Sequence, residues 1–92
     1  MKEWTKIFKA LGNESRLKII RLLYPRKEYN VTEITDKIRI SYKGTSQHLA
    51  HLARMNILES RGIYGKVLYY ISPSMQKEVR EIVEKFLKSA KH

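Results

Sequence analysis

The stretch Ile40-Ser41-Tyr42-Lys43-Gly44-Thr45-Ser46-Gln47-His48-Leu49-Ala50-His51-Leu52-Ala53-Arg54-Met55, followed at once by Leu58-Glu59-Ser60-Arg61 and Val67-Leu68-Tyr69-Tyr70-Ile71, decides the fold. At about 100° per residue, Thr45, Leu49 and Leu52 fall within about 60° of one another on a helix running from Tyr42 to about Met55. Ser41 is its N-cap. The two following segments are rich in strand formers, and Gly62 and Gly65 bracket the turn between them, so they read as a β-hairpin. A hairpin directly behind such a helix is a wing.

Working outward, Val31 to Arg39 reads as a short helix capped by Thr32, with Ile34 and Ile38 inward. The break before Ser41 is too short for anything but a helix-turn-helix. Upstream, Trp4, Ile7, Phe8 and Leu11 follow helical spacing, Gly12-Asn13 interrupts it, and a second helix runs to about Tyr24, where Pro25 stops it. Leu17, Ile20, Leu23 and Tyr24 are its inward positions, and residues 26–30 read as a polar loop. Downstream, Ser72-Pro73 opens a last helix carrying Met75, Val79, Ile82, Val83, Phe86, Leu87 and Ala90. The expected fold is mainly α with one hairpin, a winged helix-turn-helix in the order α-α-α-turn-α-β-β-α, as one domain over residues 1–92.

Charge narrows the partner. The chain carries 19 Lys and Arg against 9 Asp and Glu, a net +10, which favours a polyanion. Lys37, Arg39, Lys43, Arg54, Arg61 and Lys66 face only Glu59 between residues 37 and 71, so that stretch holds half of the excess. No apolar run reaches the length that spans a bilayer, and the expected location is the cytoplasm, away from membranes. Cysteine is absent, which removes disulfides and thiolate metal sites. His48 and His51 lack the further donors a metal needs, so no metal or other cofactor is expected. No catalytic constellation is present.

Opposite its apolar stripe, the Tyr42–Met55 helix exposes Lys43, Ser46, Gln47 and Ala50, with Tyr42 at the edge and Arg54 further along. Gln can bond adenine bidentately, Lys reaches guanine or phosphate, and Ala leaves room for a thymine methyl. Arg61, Tyr64 and Lys66 lie on or near the hairpin tip, where a basic group meets backbone phosphate or the minor groove.

The segments Phe8-Lys9-Ala10-Leu11-Gly12-Asn13-Glu14-Ser15-Arg16-Leu17, Val31-Thr32-Glu33-Ile34, Ser46 to Leu52 and Leu68-Tyr69-Tyr70 together resemble the arsenic-repressor (ArsR/SmtB) family over residues 5–72. The resemblance implies a homodimeric repressor of double-stranded DNA whose recognition helices enter successive major grooves. It places Tyr42, Lys43, Ser46, Gln47 and His48 on DNA and matches Arg61 and Lys66 to the basic wing. The chain departs from the family's metal sensors: Tyr29-Asn30-Val31-Thr32 stands where they place Cys-x-Cys, and no His precedes His92 on the last helix. The effector is not specified by these residues. Trp4, Ile7 and Phe8 of the first helix, with Met75, Val79, Ile82, Val83, Phe86 and Leu87 of the last, are the expected dimer interface. A weakly specific architectural DNA binder and a winged-helix protein-interaction module remain the alternative functions.

Overall fold

The computed structural model describes residues 2–89, so the expected inward Ala90 and the histidine at 92 lie outside the described residues. Five helices and one antiparallel hairpin follow in the expected order: α1 Lys2–Leu11, α2 Glu14–Leu23, α3 Val31–Ile38, α4 Tyr42–Arg54, β1 Leu58–Ile63, β2 Lys66–Ile71 and α5 Lys77–Ser89. Ile19, Ile20 and Leu23 of α2, Ile34 of α3, Leu49 and Leu52 of α4, and Ile57 just before β1 are fully enclosed. Val79 and Val83 of α5 close the same cluster from outside.

The ends of α4 are set by specific groups. Ser41 Oγ accepts from the Gly44 N–H at 2.9 Å, the expected cap. A Cβ at position 44 would stand 3.0 Å from that hydroxyl oxygen, so glycine in the first turn leaves the cap its room. Thr45 is fully buried and its hydroxyl donates to the Ser41 carbonyl at 2.9 Å, which satisfies a polar group at an apolar position. At the other end Asn56 takes the left-handed conformation, φ 59°. The Ile57 N–H then bonds Leu52 O and the Asn56 N–H bonds Ala53 O. This Schellman closure turns the chain into β1.

Four local expectations are corrected. The cap of α3 is Asn30, not Thr32: Asn30 Oδ1 accepts from the Glu33 N–H, and the Glu33 carboxylate accepts from the Asn30 N–H, a reciprocal box. The last helix begins at Lys77, not at Ser72-Pro73. Ser72 is instead buried, donating to the Glu59 carboxylate at 2.7 Å, while its carbonyl accepts from Arg80 at 2.8 Å. Residues 26–30 are more than a polar loop, because Tyr29 pairs with Tyr69 through two backbone hydrogen bonds. Gly62 lies within β1 opposite Val67, so Tyr64 and Gly65 alone make the turn. Both have positive φ, 50° and 78°, the conformation that matches strand twist in a two-residue hairpin.

Arg16 ties three helices together. Its guanidinium donates from Nε to His48 Nδ1 on α4 at 3.1 Å and from Nη1 to the Lys9 and Ala10 carbonyls at the end of α1. That bond needs a deprotonated His48 Nδ1. Burial first, and the Arg16 charge second, lower the His48 pKa from 6.5. His51 is lowered by burial, then by Arg16, Arg54, His48 and Lys9.

Two outcomes follow. Asn30→Ala removes one half of the box on α3 and should cost about 1 kcal/mol, read as a melting temperature lower by roughly 4–8 °C. Both imidazoles are held neutral by folding, so their contribution is complete above the unfolded pKa of 6.5 and is lost as pH falls through the lower folded values. Melting temperature should therefore drop between pH 7.5 and about 5.5. A His48→Gln/His51→Gln variant, which keeps an acceptor for Arg16, should show a flatter profile over that range.

Candidate nucleic-acid interface

Helix α4 offers one face to the core and the other to solvent. With Thr45, Leu49 and Leu52 buried, Tyr42, Lys43, Ser46 and Gln47 stand exposed and Ala50 lies at the margin. These side chains occupy the first two turns, where backbone N–H groups without helical partners also favour a phosphate. The expected set is thus brought together at one end of α4, except for two members. His48 is half-buried and engaged by Arg16. Arg54 is exposed but sits eleven residues further along, about 16 Å of helix rise from Lys43, beside Glu3 and Lys6 of α1.

The wing projects its tip into solvent. Tyr64 is fully exposed at 100%, and Lys66 follows the turn. Arg61 is not at the tip. It pairs across the hairpin with Leu68 and forks onto the Glu28 carboxylate, with Nε and Nη2 both 2.8 Å from Oε1. The wing is therefore anchored at Glu28 and Tyr29, two contacts that sequence spacing did not indicate. The large apolar side chains most exposed are Tyr42, Tyr64, Val67 and Phe8. Three of these four, Tyr42, Tyr64 and Val67, lie on α4 and the wing.

The expected dimer stripe divides in two. Ile7, Met75, Val79 and Val83 are buried in the chain's own core, and Met75 precedes α5 rather than lying on it. Trp4, Ile82, Phe86 and Leu87 are half-buried and Phe8 is 55% exposed. Phe8, Leu11, Leu17, Ile20, Ile82 and Phe86 line an apolar groove of about 270 Å³ between α1, α2 and α5. Trp4 and Phe8 rest on each other with centroids 5.6 Å apart.

Among the described residues no three His, Cys, Asp or Glu side chains gather so as to hold a metal ion, and no helix is long and apolar enough to cross a membrane.

The comparisons agree with this architecture. The sequence pattern of the bacterial regulatory protein arsR family matches residues 13–60. The transcriptional activator HlyU of Vibrio cholerae is 32% identical over 79 residues, covering 86% of this chain and 72% of HlyU. Its solved structure superposes with a TM-score of 0.83 at 28% identity, over 99% of this chain and 95% of that one. The cadmium resistance regulatory protein CadC of Listeria innocua is 38% identical over 63 residues, 68% of this chain and 52% of CadC. The homodimeric winged helix-turn-helix DNA-binding domain of Mb0332 from Mycobacterium bovis has the same fold, with a TM-score of 0.79 at 24% identity over 97% of this chain and 79% of that one. With a family match across the α2-to-β1 segment and a relative similar along most of its length, the chain belongs to the arsR family and is a winged helix-turn-helix transcriptional regulator.

Proposed function

We propose that the chain is a cytoplasmic repressor that binds a palindromic duplex as a homodimer, with α4 in the major groove and the wing on the backbone. The observation that carries this reading is the exposed Tyr42, Lys43, Ser46 and Gln47 face on the first two turns of a helix whose other face is locked by Thr45, Leu49 and Leu52. Gln47 reads a base edge, Lys43 and Ser46 reach base or phosphate, and Lys66 and Tyr64 meet the backbone or minor groove beside them. Arg61 joins only by leaving Glu28. That pair is half exposed and of the kind that contributes little in water. His48 acts through Arg16 to hold α4 rather than through DNA, and Arg54 supplies charge at the far end. Repression needs only that the bound dimer occupy its site.

For the dimer we propose the groove between α1, α2 and α5, with Phe8, Trp4, Ile82, Phe86 and Leu87 as the surface a second copy covers. The support is the exposed Phe8 beside a half-buried Phe86 and the homodimeric state of a protein with the same fold. No metal or other cofactor belongs to this reading.

Duplex selection with the purified chain at near-physiological salt tests the function. A recovered palindrome supports it; a flat outcome indicates an architectural binder, and absence of duplex binding indicates a protein-interaction module. On the recovered site, Gln47→Ala should cost about 1–3 kcal/mol and shrink the preference over a scrambled duplex. Lys66→Ala should weaken both duplexes about equally and lower the salt slope by about one per site. Phe86→Lys should convert a dimer, seen by light scattering at tens of micromolar, into a monomer with weakened DNA binding. A wild-type chain that is already monomeric there removes the dimer from the proposal.

A further inference from the structure

A second basic surface lies outside α4 and the wing. Lys18 and Arg21 of α2, Lys27 of the following loop, and Lys37 and Arg39 at the end of α3 surround an open hollow of about 500 Å³ floored by Leu22 and Ile38. Its lining has five cationic side chains and no acidic one. Lys18 pairs with Glu14 at 3.2 Å, both well exposed, and such a pair offsets little of its charge. Lys37 Nζ lies 5.0 Å above the Tyr29 ring, which positions the ammonium without neutralising it. Arg21 leans over Phe86 at 5.6 Å.

The hollow adjoins the recognition end of α4. Arg39 closes α3 in the left-handed conformation and stands two residues before Ser41, the cap of α4. Its Cα is therefore within about 7 Å of that helix start. Lys37 and Arg39 share the hollow with the cations of α2, and Lys43 follows four residues after Arg39 in the first turn of α4. A hollow of this volume is roughly 8 Å across, room for one or two neighbouring phosphates of one strand. It is too open to enclose a small anion.

We propose that this α2–α3 surface carries the phosphate backbone of the same duplex beyond the base pairs under α4, so that the bound site is longer than α4 and the wing alone require. The proposal rests on the DNA-binding reading above. It assigns to Lys37 and Arg39 a length-dependent share of affinity with no part in reading bases.

The test compares the selected palindrome trimmed to its two half-sites with the same palindrome extended by about ten base pairs at each end. The wild-type chain should bind the extended duplex about tenfold or more tightly at ~0.15 M salt, with a salt slope steeper by two or more. Lys37→Gln/Arg39→Asn, in which Asn tolerates the left-handed position, should weaken binding to the short duplex only slightly and lose most of the gain from extension. Lys18→Gln/Lys27→Gln is the second variant, changing only exposed side chains, and should lose part of the gain. Unchanged melting temperatures establish that both variants fold. Equal wild-type affinity for the two duplexes, a full gain in the variants, or an equal loss on both duplexes overturns the contact while leaving the DNA reading standing. A wild-type chain that binds neither duplex overturns both.

Discussion

A helix that must both pack and read can give only part of its circumference to the core, and α4 gives three side chains, Thr45, Leu49 and Leu52. So narrow a buried strip leaves its roll and tilt weakly determined by apolar contact alone. The Arg16 guanidinium supplies the missing constraint. It holds the end of α1 through two carbonyls and the middle of α4 through His48. With Ser41 fixing one end and the Asn56 turn the other, the outward face is set as much by polar groups as by the core. Charge-assisted hydrogen bonds have the directionality for this, which dispersion lacks.

The last helix has a similar double duty. Val79 and Val83 point into the core while Ile82 and Phe86 edge the outer groove. Its position against the wing is not left to apolar packing: Arg80 holds the Ser72 carbonyl, Ser72 holds Glu59 of β1, and Tyr24 of the α2 end donates to Glu84 at 2.7 Å. Helix α5 and the base of the hairpin are thus joined by a short chain of hydrogen bonds through Ser72.

The order of elements was readable from residue spacing because each boundary has a local cause: Gly12-Asn13, Pro25, Ser41 and the paired strand formers. The exposed face of α4 followed from the same periodicity. Local rivals were harder to rank. Asn30 and Thr32 both cap helices, and the deciding signal, Glu33 three residues after Asn30, was present but unweighted. Ser72-Pro73 has the form of a helix start, yet the Ser72 side chain and carbonyl go to Glu59 and Arg80, which come from elsewhere in the chain. The contacts that hold the site, Arg16 to His48 and Arg61 to Glu28, span 32 and 33 residues. No periodicity encodes such pairs. The division of the terminal apolar stripes between core and surface was hidden for the same reason, since a stripe does not say how many neighbours it meets.

The hairpin is bordered by more than its own two strands, because Tyr29 adds a backbone pairing to β2 and Glu28 grips Arg61. In terms of inheritance, the wing is not a self-contained cassette. Its two anchoring residues lie ahead of the helix-turn-helix, thirty positions upstream of the strands they steady. Recombination between relatives that breaks between residues 30 and 57 keeps the backbone pairing at position 29 but brings together a residue 28 and a residue 61 of different origin, so the side-chain match of Glu28 with Arg61 is no longer given. The α2–α3 loop and the wing are thus one structural unit despite their distance along the chain.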